Sequence, residues 1–538
     1  MSAQPPRGIG LSAPTLPSPP TSIPWLGLMA VLMGTFISTL NGRLSSFGLA
    51  DIRGAMGAGF DEGAWITTAQ TVGQMFITLF AVWAGAAYGP RRVLIWASIT
   101  FALISVLTPY SATLPMLLTL QFLGGVTSGC FIPLTLSFLL LNTPPKYWAF
   151  GIAIYALNLE LSLNISASLE GWYVEHHSWR WIFWQNVPLA LIMTLCLRAG
   201  LVQKPITVPP PRDLFGLVTG GAGLALLYAA LDQGNRLDWL NSGLEWGLLL
   251  AGGLLLLAFL VHEATTAHPL LNLRVVFGRP MPSLFLLIAF LRLTILATSY
   301  LIPLYLGSVR GYRDLEVGGT LLWIAAPQLI FCPIAALMLR RSDPRLVSCI
   351  GFIFISVACL MVGYKLTPIW GSEQFLPSAL LQALGQSFAL SGVIFFGVLH
   401  LKPQDALTFG AVLQTARLMG GEIGSAFVTT LARVREQVAS NLIGLHLQMG
   451  DGQVLERIRA YGAAATRDLD PALALQRGES VLGGVVRAAA TTQAVMDGFV
   501  AVGFLTAVAL LIIVTRGAAP YGPASAPSMF TTGRAPQL

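Results

Sequence analysis

Six charged residues stand inside stretches otherwise suited to lipid: Arg43, Glu160, Glu170, Arg292, Arg417 and Glu422. A lone arginine at a bilayer centre costs roughly 3 kcal/mol on insertion scales, so each charge needs a partner, a watery path or a task. A carboxyl group buried beside a guanidinium suits proton carriage, because desolvation favours its neutral form and the arginine its charged form. Arg43 lies about seven residues from the outer end of the first apolar run, and Glu160 about twelve from the outer end of the fifth. At 1.5 Å per residue the two differ in depth by roughly 7 Å, within reach of two extended side chains. Arg43 and Glu160 are therefore expected to pair, with Glu170, near the outer lip, as the second choice. Three roles fit the pair: an ion pair holding two helices, a proton carrier that releases Arg43 or substrate, or a reader of substrate charge. Arg292 has no acidic neighbour in sequence and reads as a cavity-lining group or a counter-ion for an anionic substrate. Arg417 and Glu422 are five residues apart, about 140° around a helix, so they are not expected to share a face. Glu422 reads as a second proton site or as the partner of a charge on another helix.

The elements that position these charges follow from composition. Of 538 residues, 55% are hydrophobic and 10% charged, with a mean hydropathy of +0.71. Soluble domains carry about 25% charged residues, which excludes an ordinary soluble protein. Apolar runs of about 20 residues recur along the chain, each long enough to cross a bilayer. The class is an all-α integral membrane protein with about fourteen spans. The net charge of +7 belongs to loops facing the cytoplasm and does not indicate nucleic acid. Cys130, Cys196, Cys332, Cys349 and Cys359 all lie in apolar runs without ligand spacing, so neither a disulfide framework nor a metal site is expected. No nucleotide loop, cofactor motif or soluble catalytic domain is legible, which argues against an enzyme.

Residues 1–23 are Pro-rich and polar and read as a disordered cytoplasmic tail without the features of a signal peptide. Residues 24–200 hold six spans, 201–280 a linker with a two-helix insert, 281–516 six more spans, and 517–538 a second tail. Two six-helix halves around a midplane site are the usual plan of a secondary transporter. With the N-terminus inside, cytoplasmic segments hold fifteen basic residues and the short outer loops six: Arg53, Arg180, Arg236, Arg310, Arg313 and Lys365. Both termini are therefore expected in the cytoplasm. One outer loop, 434–491, is far longer than the rest. Val438, Leu442, Ile443 and Leu445 recur in it at helical spacing and predict an amphipathic extension of span 13, serving as a solvated cap or as a docking surface for a partner.

Polar residues mark further helix faces. Thr67, Gln70 and Gln74 share one face of span 2, Gln382 and Gln386 one face of span 12, with Asn158, Asn164 and Gln414 besides. Such amides line polar cavities or hydrogen-bond neighbouring helices. Gly420 and Gly424 give the spacing that lets helices approach closely.

Several segments resemble the EmrB/QacA type of major facilitator, the fourteen-span drug:proton antiporters. They are 65–94, 114–141, SWRWIFWQNVPLAL (178–191), TARLMGGEIGSAF (415–427) and TTQAVMDGF (491–499). The resemblance implies export of multiple drugs or toxic compounds across the bacterial inner membrane, driven by proton entry. In Gram-negative bacteria it also implies a periplasmic membrane-fusion adaptor and an outer-membrane channel. Gly89, Arg91 and Arg92 match parts of the family's cytoplasmic gate, and Arg417 matches a family position in span 13, which implies a structural or gating role. Elsewhere the chain departs from the pattern. Asn41 stands where the family has an acid, Ala86 replaces an Asp, and Gln121 and Gly124 replace an Arg and a Gln. In span 5, Ser166, Ala167 and Glu170 replace Gly, Pro and Gly. The usual proton-relay residues are thus missing while other buried charges have appeared.

These readings converge on a secondary exporter of amphipathic toxic compounds, coupled to protons through Arg43, Glu160, Glu170 and Glu422. Its substrate cavity is expected to draw on Asn41, Gln70, Gln74, Gln121, Asn158, Arg292, Gln382 and Gln386. Two alternatives stay open: a transporter-derived receptor or scaffold that no longer pumps, and an uncoupled organic-anion facilitator. A scaffold has no reason to keep Glu160 and Arg43 in the membrane; a rewired antiporter needs both.

Overall fold

The computed structural model describes residues 25–200, 213–266, 269–271, 273–278, 281–401, 405–445, 447, 452–465 and 471–517. The tail expected at 1–23, most of the Pro-rich connection 203–213 and residues 518–538 lie outside them. Every regular element among the described residues is helical. In lipid only a helix or a closed barrel satisfies its own backbone.

The N-terminal half consists of α1 (Trp25–Phe47), α2 (Trp65–Tyr88), α3 (Pro90–Leu107), α4 in two segments (Leu114–Ser128 and Phe131–Asn142), α5 (Trp148–His176) and α6 (Asn186–Gly200). The insert is α7 (Leu214–Gln233) and α8 (Gly243–Thr265). The C-terminal half consists of α9 (Met281–Ser308), α10 (Asp314–Arg341), α11 (Pro344–Lys365), α12 (Leu376–Val398), α13 (Ala406–Leu445) and α14 (Pro471–Val514). Thirteen of these helices are long and apolar enough to cross a membrane by composition alone. The remaining one is α13, in which Gln414, Arg417 and Glu422 dilute the apolar run. It nevertheless packs between α9, α14 and the second segment of α4 as the others do. Below, the near face is the one at the start of α1, and the far face is opposite.

Glycines set the closest helix approaches. A Cβ on Gly420 would lie 2.4 Å from Ala289 Cα, and one on Gly424 2.5 Å from Leu293 Cα, so the spacing read in α13 does bring it onto α9. The two halves meet at both faces. Towards the near face a Cβ on Gly410 would meet the Pro133 carbonyl at 2.6 Å, and the Ser137 hydroxyl donates to the Ala406 carbonyl at 3.0 Å. Towards the far face, α5 and α10 close on Gly171 and Gly318; a Cβ on the latter would lie 2.5 Å from the Ser168 nitrogen.

The stretch expected as a long loop, 434–491, is mostly helix. The expected extension of span 13 runs on to Leu445, α14 begins at Pro471, and the short helix Gly452–Ala465 lies between them. It packs on the first turns of α14, where a Cβ on Gly478 would meet the Ile458 carbonyl at 2.1 Å. Val438, Leu442 and Leu445 are exposed there.

Candidate functional site

A cavity of about 420 Å³ lies between the two halves, walled by α1, α2, α5, α7, α9 and α13. Its wall carries Arg43, Arg292, Arg417, Asp232 and Glu422. Ser46, in the last turn of α1, is exposed and belongs to the same wall, so the cavity reaches towards the far face.

The charges lie in two tiers. In the deeper one, Glu160 on α5 and Arg292 on α9 sit twelve and eleven residues from the near-face ends of their helices, about 17 Å along each axis. Arg292 Nη1 donates to Glu160 Oε1 at 3.4 Å, with side-chain exposures of 3% and 0%. The contact is single: Glu160 Oε2 and Arg292 Nε have no hydrogen-bond partner. Arg417 on α13 occupies the same tier and donates to Gln414 Oε1 at 2.9 Å and to Thr39 Oγ1 of α1 at 3.4 Å.

This arrangement corrects the expected pairing. Glu160 is bound to Arg292, a residue with no acid near it in sequence, and not to Arg43. Arg43 stands one tier nearer the far face, with its guanidinium over the Phe47 ring at 5.1 Å and its Nε unpartnered. Its acidic neighbour is Glu422. Arg417 and Glu422 both line the cavity despite their angular separation, because helices wall it on several sides and both side chains are long. Glu422 Oε2 accepts from the Tyr228 hydroxyl at 2.7 Å. Glu170 is fully buried beside Gly48, outside the cavity wall, and both its carboxyl oxygens lack partners.

The polar residues expected to line a substrate cavity scatter. Gln74 does line it, donating to the Ser38 carbonyl at 3.4 Å and to Ser128 Oγ at 3.3 Å. Asn41 is instead tied to α6, accepting from Asn186 Nδ2 at 2.6 Å, so the asparagine of the SWRWIFWQNVP segment anchors α1. Gln70 is buried towards Gly42, and Gln121 is buried in α4. Asn158 faces a separate pocket with Met29, Met33 and Leu189. Gln386 and Gln382 belong to a buried amide chain: Gln328 Nε2 donates to Gln386 Oε1 at 2.9 Å, Asn164 to the same oxygen at 3.5 Å, and Gln386 Nε2 to Gln382 Oε1 at 3.3 Å. That chain joins α5, α10 and α12 and stands apart from the cavity. The amides of that chain bond across neighbouring helices, the commoner use of such groups, whereas Gln70 Nε2 and Oε1 and Gln121 Nε2 are buried without a partner.

At the near face Gly89 has φ +86°, which lets the chain turn sharply from α2 into α3. Arg91 Nη2 donates to the Arg198 carbonyl at 2.9 Å, and its Nε to that of Leu197 at 3.2 Å, binding α3 to the end of α6 within one half. Arg92 is exposed.

Asp232 and Tyr228 escaped the sequence reading. The apolar run predicts a span over 214–231, so Asp232 falls one residue beyond its end and passes for a loop residue. The signal was the spacing of four residues from Tyr228, which puts both on one face of α7.

Residues 31–425 match the Major Facilitator Superfamily. The chain belongs to that family. Within it, the chain is 26% identical to the probable multidrug resistance protein EmrY of Escherichia coli K12 over 427 residues, 77% of this chain and 81% of that protein. It is likewise 26% identical to the multidrug export protein EmrB of the same strain over 418 residues, 76% of this chain and 80% of the relative. The fatty acid resistance protein FarB of Neisseria gonorrhoeae is 22% identical over 435 residues, covering 79% and 84%. The fold matches the proton:xylose symporter XylE with a TM-score of 0.57 at 10% identity, over 92% of this chain and 96% of that one. The human organic anion transporter MFSD10 also gives 0.57, at 13% identity over 91% and 99%. This chain is therefore a multi-pass major facilitator transporter, homologous to the EmrB and EmrY proteins, in a family that binds small-molecule substrates.

Proposed function

We propose that the protein exports amphipathic toxic compounds across the bacterial inner membrane by proton antiport with alternating access. One observation carries the reading: the Glu160–Arg292 pair spans the interface between the halves, carboxylate from α5 and guanidinium from α9, level with the cavity. A proton on Glu160 cancels that attraction. The weakened contact lets the halves move, and loss of the proton to the other side restores it. The coupling group is thus Glu160, as expected from sequence, but its partner is Arg292. Arg43 and Arg417 remain in the cavity to read substrate charge, and Gln74 to supply neutral hydrogen bonds.

With both termini in the cytoplasm, the far face is periplasmic and the cavity reaches towards that side. The near-face seal at Gly410 and Pro133 then closes the cytoplasmic route. The exposed apolar residues of the far-face hairpin, among them Leu442, Leu445 and Leu473, suit a periplasmic membrane-fusion adaptor that feeds an outer-membrane channel.

The test is dye efflux from cells lacking their major pumps, comparing wild type, Glu160→Gln and Arg43→Ala, each with and without an uncoupler. Uncoupler-sensitive efflux by wild type that disappears in Glu160→Gln, with the variant present in the membrane, is the expected result. Uncoupler-sensitive efflux that survives the substitution rejects Glu160 as the coupling group. Absence of efflux for cationic and anionic dyes alike, with the adaptor supplied, rejects the export reading.

A further inference from the structure

Two acids in the cavity wall take no part in the Glu160–Arg292 pair. Asp232 closes the last turn of α7, and Glu422 faces it from α13. Both carboxyl groups lie on one stretch of that wall: the Tyr228 hydroxyl meets Glu422 at 2.7 Å, and Tyr228 stands one turn before Asp232 on the same face of α7. Two acids set so near each other away from water repel when both are ionised, and a proton on one of them removes the repulsion. The rest of the setting is built for such a pair. Tyr228 donates to Glu422 at 2.7 Å, while Thr68 of α2 and Gln233 donate to Asp232, the latter at 2.9 Å. The charged groups facing the pair are Arg43 from α1, towards Glu422, and Arg236 beyond α7, towards Asp232. Arg236 is already held by Gln233 and Asp61, whereas Arg43 Nε has no partner. A second observation marks the cavity as a binding site: Arg292, 3% exposed and in the same wall, also keeps Nε unpartnered.

We infer that Asp232 and Glu422 form a one-proton binding site joining the two-helix insert to the C-terminal half. Two buried carboxylates facing each other across one cavity wall cannot both ionise without strong repulsion, so they hold a single proton as a unit. Earlier along its length α7 is also locked to the N-terminal half, where a Cβ on Gly221 would lie 2.5 Å from the Phe76 carbonyl of α2. The proton therefore closes a bridge from α2 through α7 to α13. Its departure sets the two carboxylates against each other, and Glu422 turns towards Arg43. The insert is thus part of the coupling machinery and not a lipid-facing spacer. The inference deepens the antiport reading, but the proton site itself can be tested without transport.

Infrared difference spectroscopy on the purified full chain in nanodiscs, stepped in pH, reads protonated carboxyl groups directly by their C=O stretch. The wild type is expected to show such a band at neutral pH that vanishes on alkaline titration. Asp232→Asn and Glu422→Gln should each remove it, and the double variant should remove no more than either single one. Additive losses mean two independent acids and overturn the dyad, and a band unchanged in both single variants does the same. Should either variant fail to fold, Tyr228→Phe serves instead: the band is kept but its titration midpoint moves, and an unmoved midpoint overturns the assignment. Glu160→Gln should leave the band in place, so failure of the antiport reading in the efflux assay and failure of the dyad are seen separately.

Discussion

Removing one or both members of the Glu160–Arg292 pair separates its structural value from its functional one. At 3.4 Å and an effective dielectric constant of about 20, the raw attraction is about 5 kcal/mol. Against it stands the removal of both charges from water, several kcal/mol per ion. The geometry is poor for recovering that cost. There is one contact where a charge-assisted hydrogen bond normally measures about 2.7–2.9 Å, and Glu160 Oε2 and Arg292 Nε are buried without partners. Glu160→Leu alone leaves Arg292 uncompensated and should destabilise by about 3–5 kcal/mol. Glu160→Leu with Arg292→Met removes both charges and should match the wild type or exceed it by about 1–4 kcal/mol. Equilibrium unfolding in mixed detergent micelles gives the double-mutant cycle, and efflux is measured on the same proteins. The expected pattern is an unstable, inactive single variant beside a stable, inactive double variant. A double variant less stable than either single one would show that the pair holds the fold. A stable double variant with uncoupler-sensitive efflux would show that the pair does nothing in the cycle.

Gly410→Val adds bulk where a Cβ already meets the Pro133 carbonyl at 2.6 Å, which props the near face apart; Gly318→Val does the same at the far face against Ser168. An engineered cysteine at Ser38 in the cavity should lose reactivity towards an impermeant thiol reagent applied from the far side in the first variant and gain it in the second. Gln386→Leu strips acceptor and donor from the amide chain of Gln328, Asn164 and Gln382, at about 1–3 kcal/mol for each buried group left unpaired, measurable by the same unfolding assay. Asp343 caps α11 by accepting from the Arg345 nitrogen at 2.9 Å and binds the Arg345 guanidinium at 2.7 Å. Burial alone would raise its carboxyl, but the Arg345 hydrogen bonds and charge together hold it below the ordinary carboxylate range. A depressed value contributes stability at neutral pH that is lost as pH falls through it. Asp343→Ala should therefore cost about 1 kcal/mol near neutrality, and the difference from wild type should shrink in acid.

The six-plus-two-plus-six plan was legible because the length of an apolar span is a property of a single segment. So was the α9–α13 contact, since Gly420 and Gly424 already mark a surface with no side chain to hold a neighbour off. The far-face hairpin was half legible. The apolar spacing of Val438, Leu442 and Leu445 gave the helical extension, but the polar run that follows concealed the start of α14 at Pro471. The buried charges were found one by one for the same reason: an arginine or glutamate inside an apolar run is visible without knowledge of its neighbours.

Their partnerships needed information the sequence lacks. Depth along a helix follows from counting residues, and by depth Arg43 and Glu160 were acceptable partners. Which helices stand side by side at that depth does not follow. Arg292 is 132 residues from Glu160 and belongs to the other half, yet it stands almost level with it, and so wins the contact that Arg43 was expected to make. Asp232 was lost differently, to a boundary error of one residue that moved a buried acid into a loop. Both failures concern contacts between halves or between a half and the insert. Each joins single polar side chains from helices far apart in sequence, so no pattern within one helix announces it, whereas Gly420 and Gly424 announce the α9–α13 packing from within α13 alone.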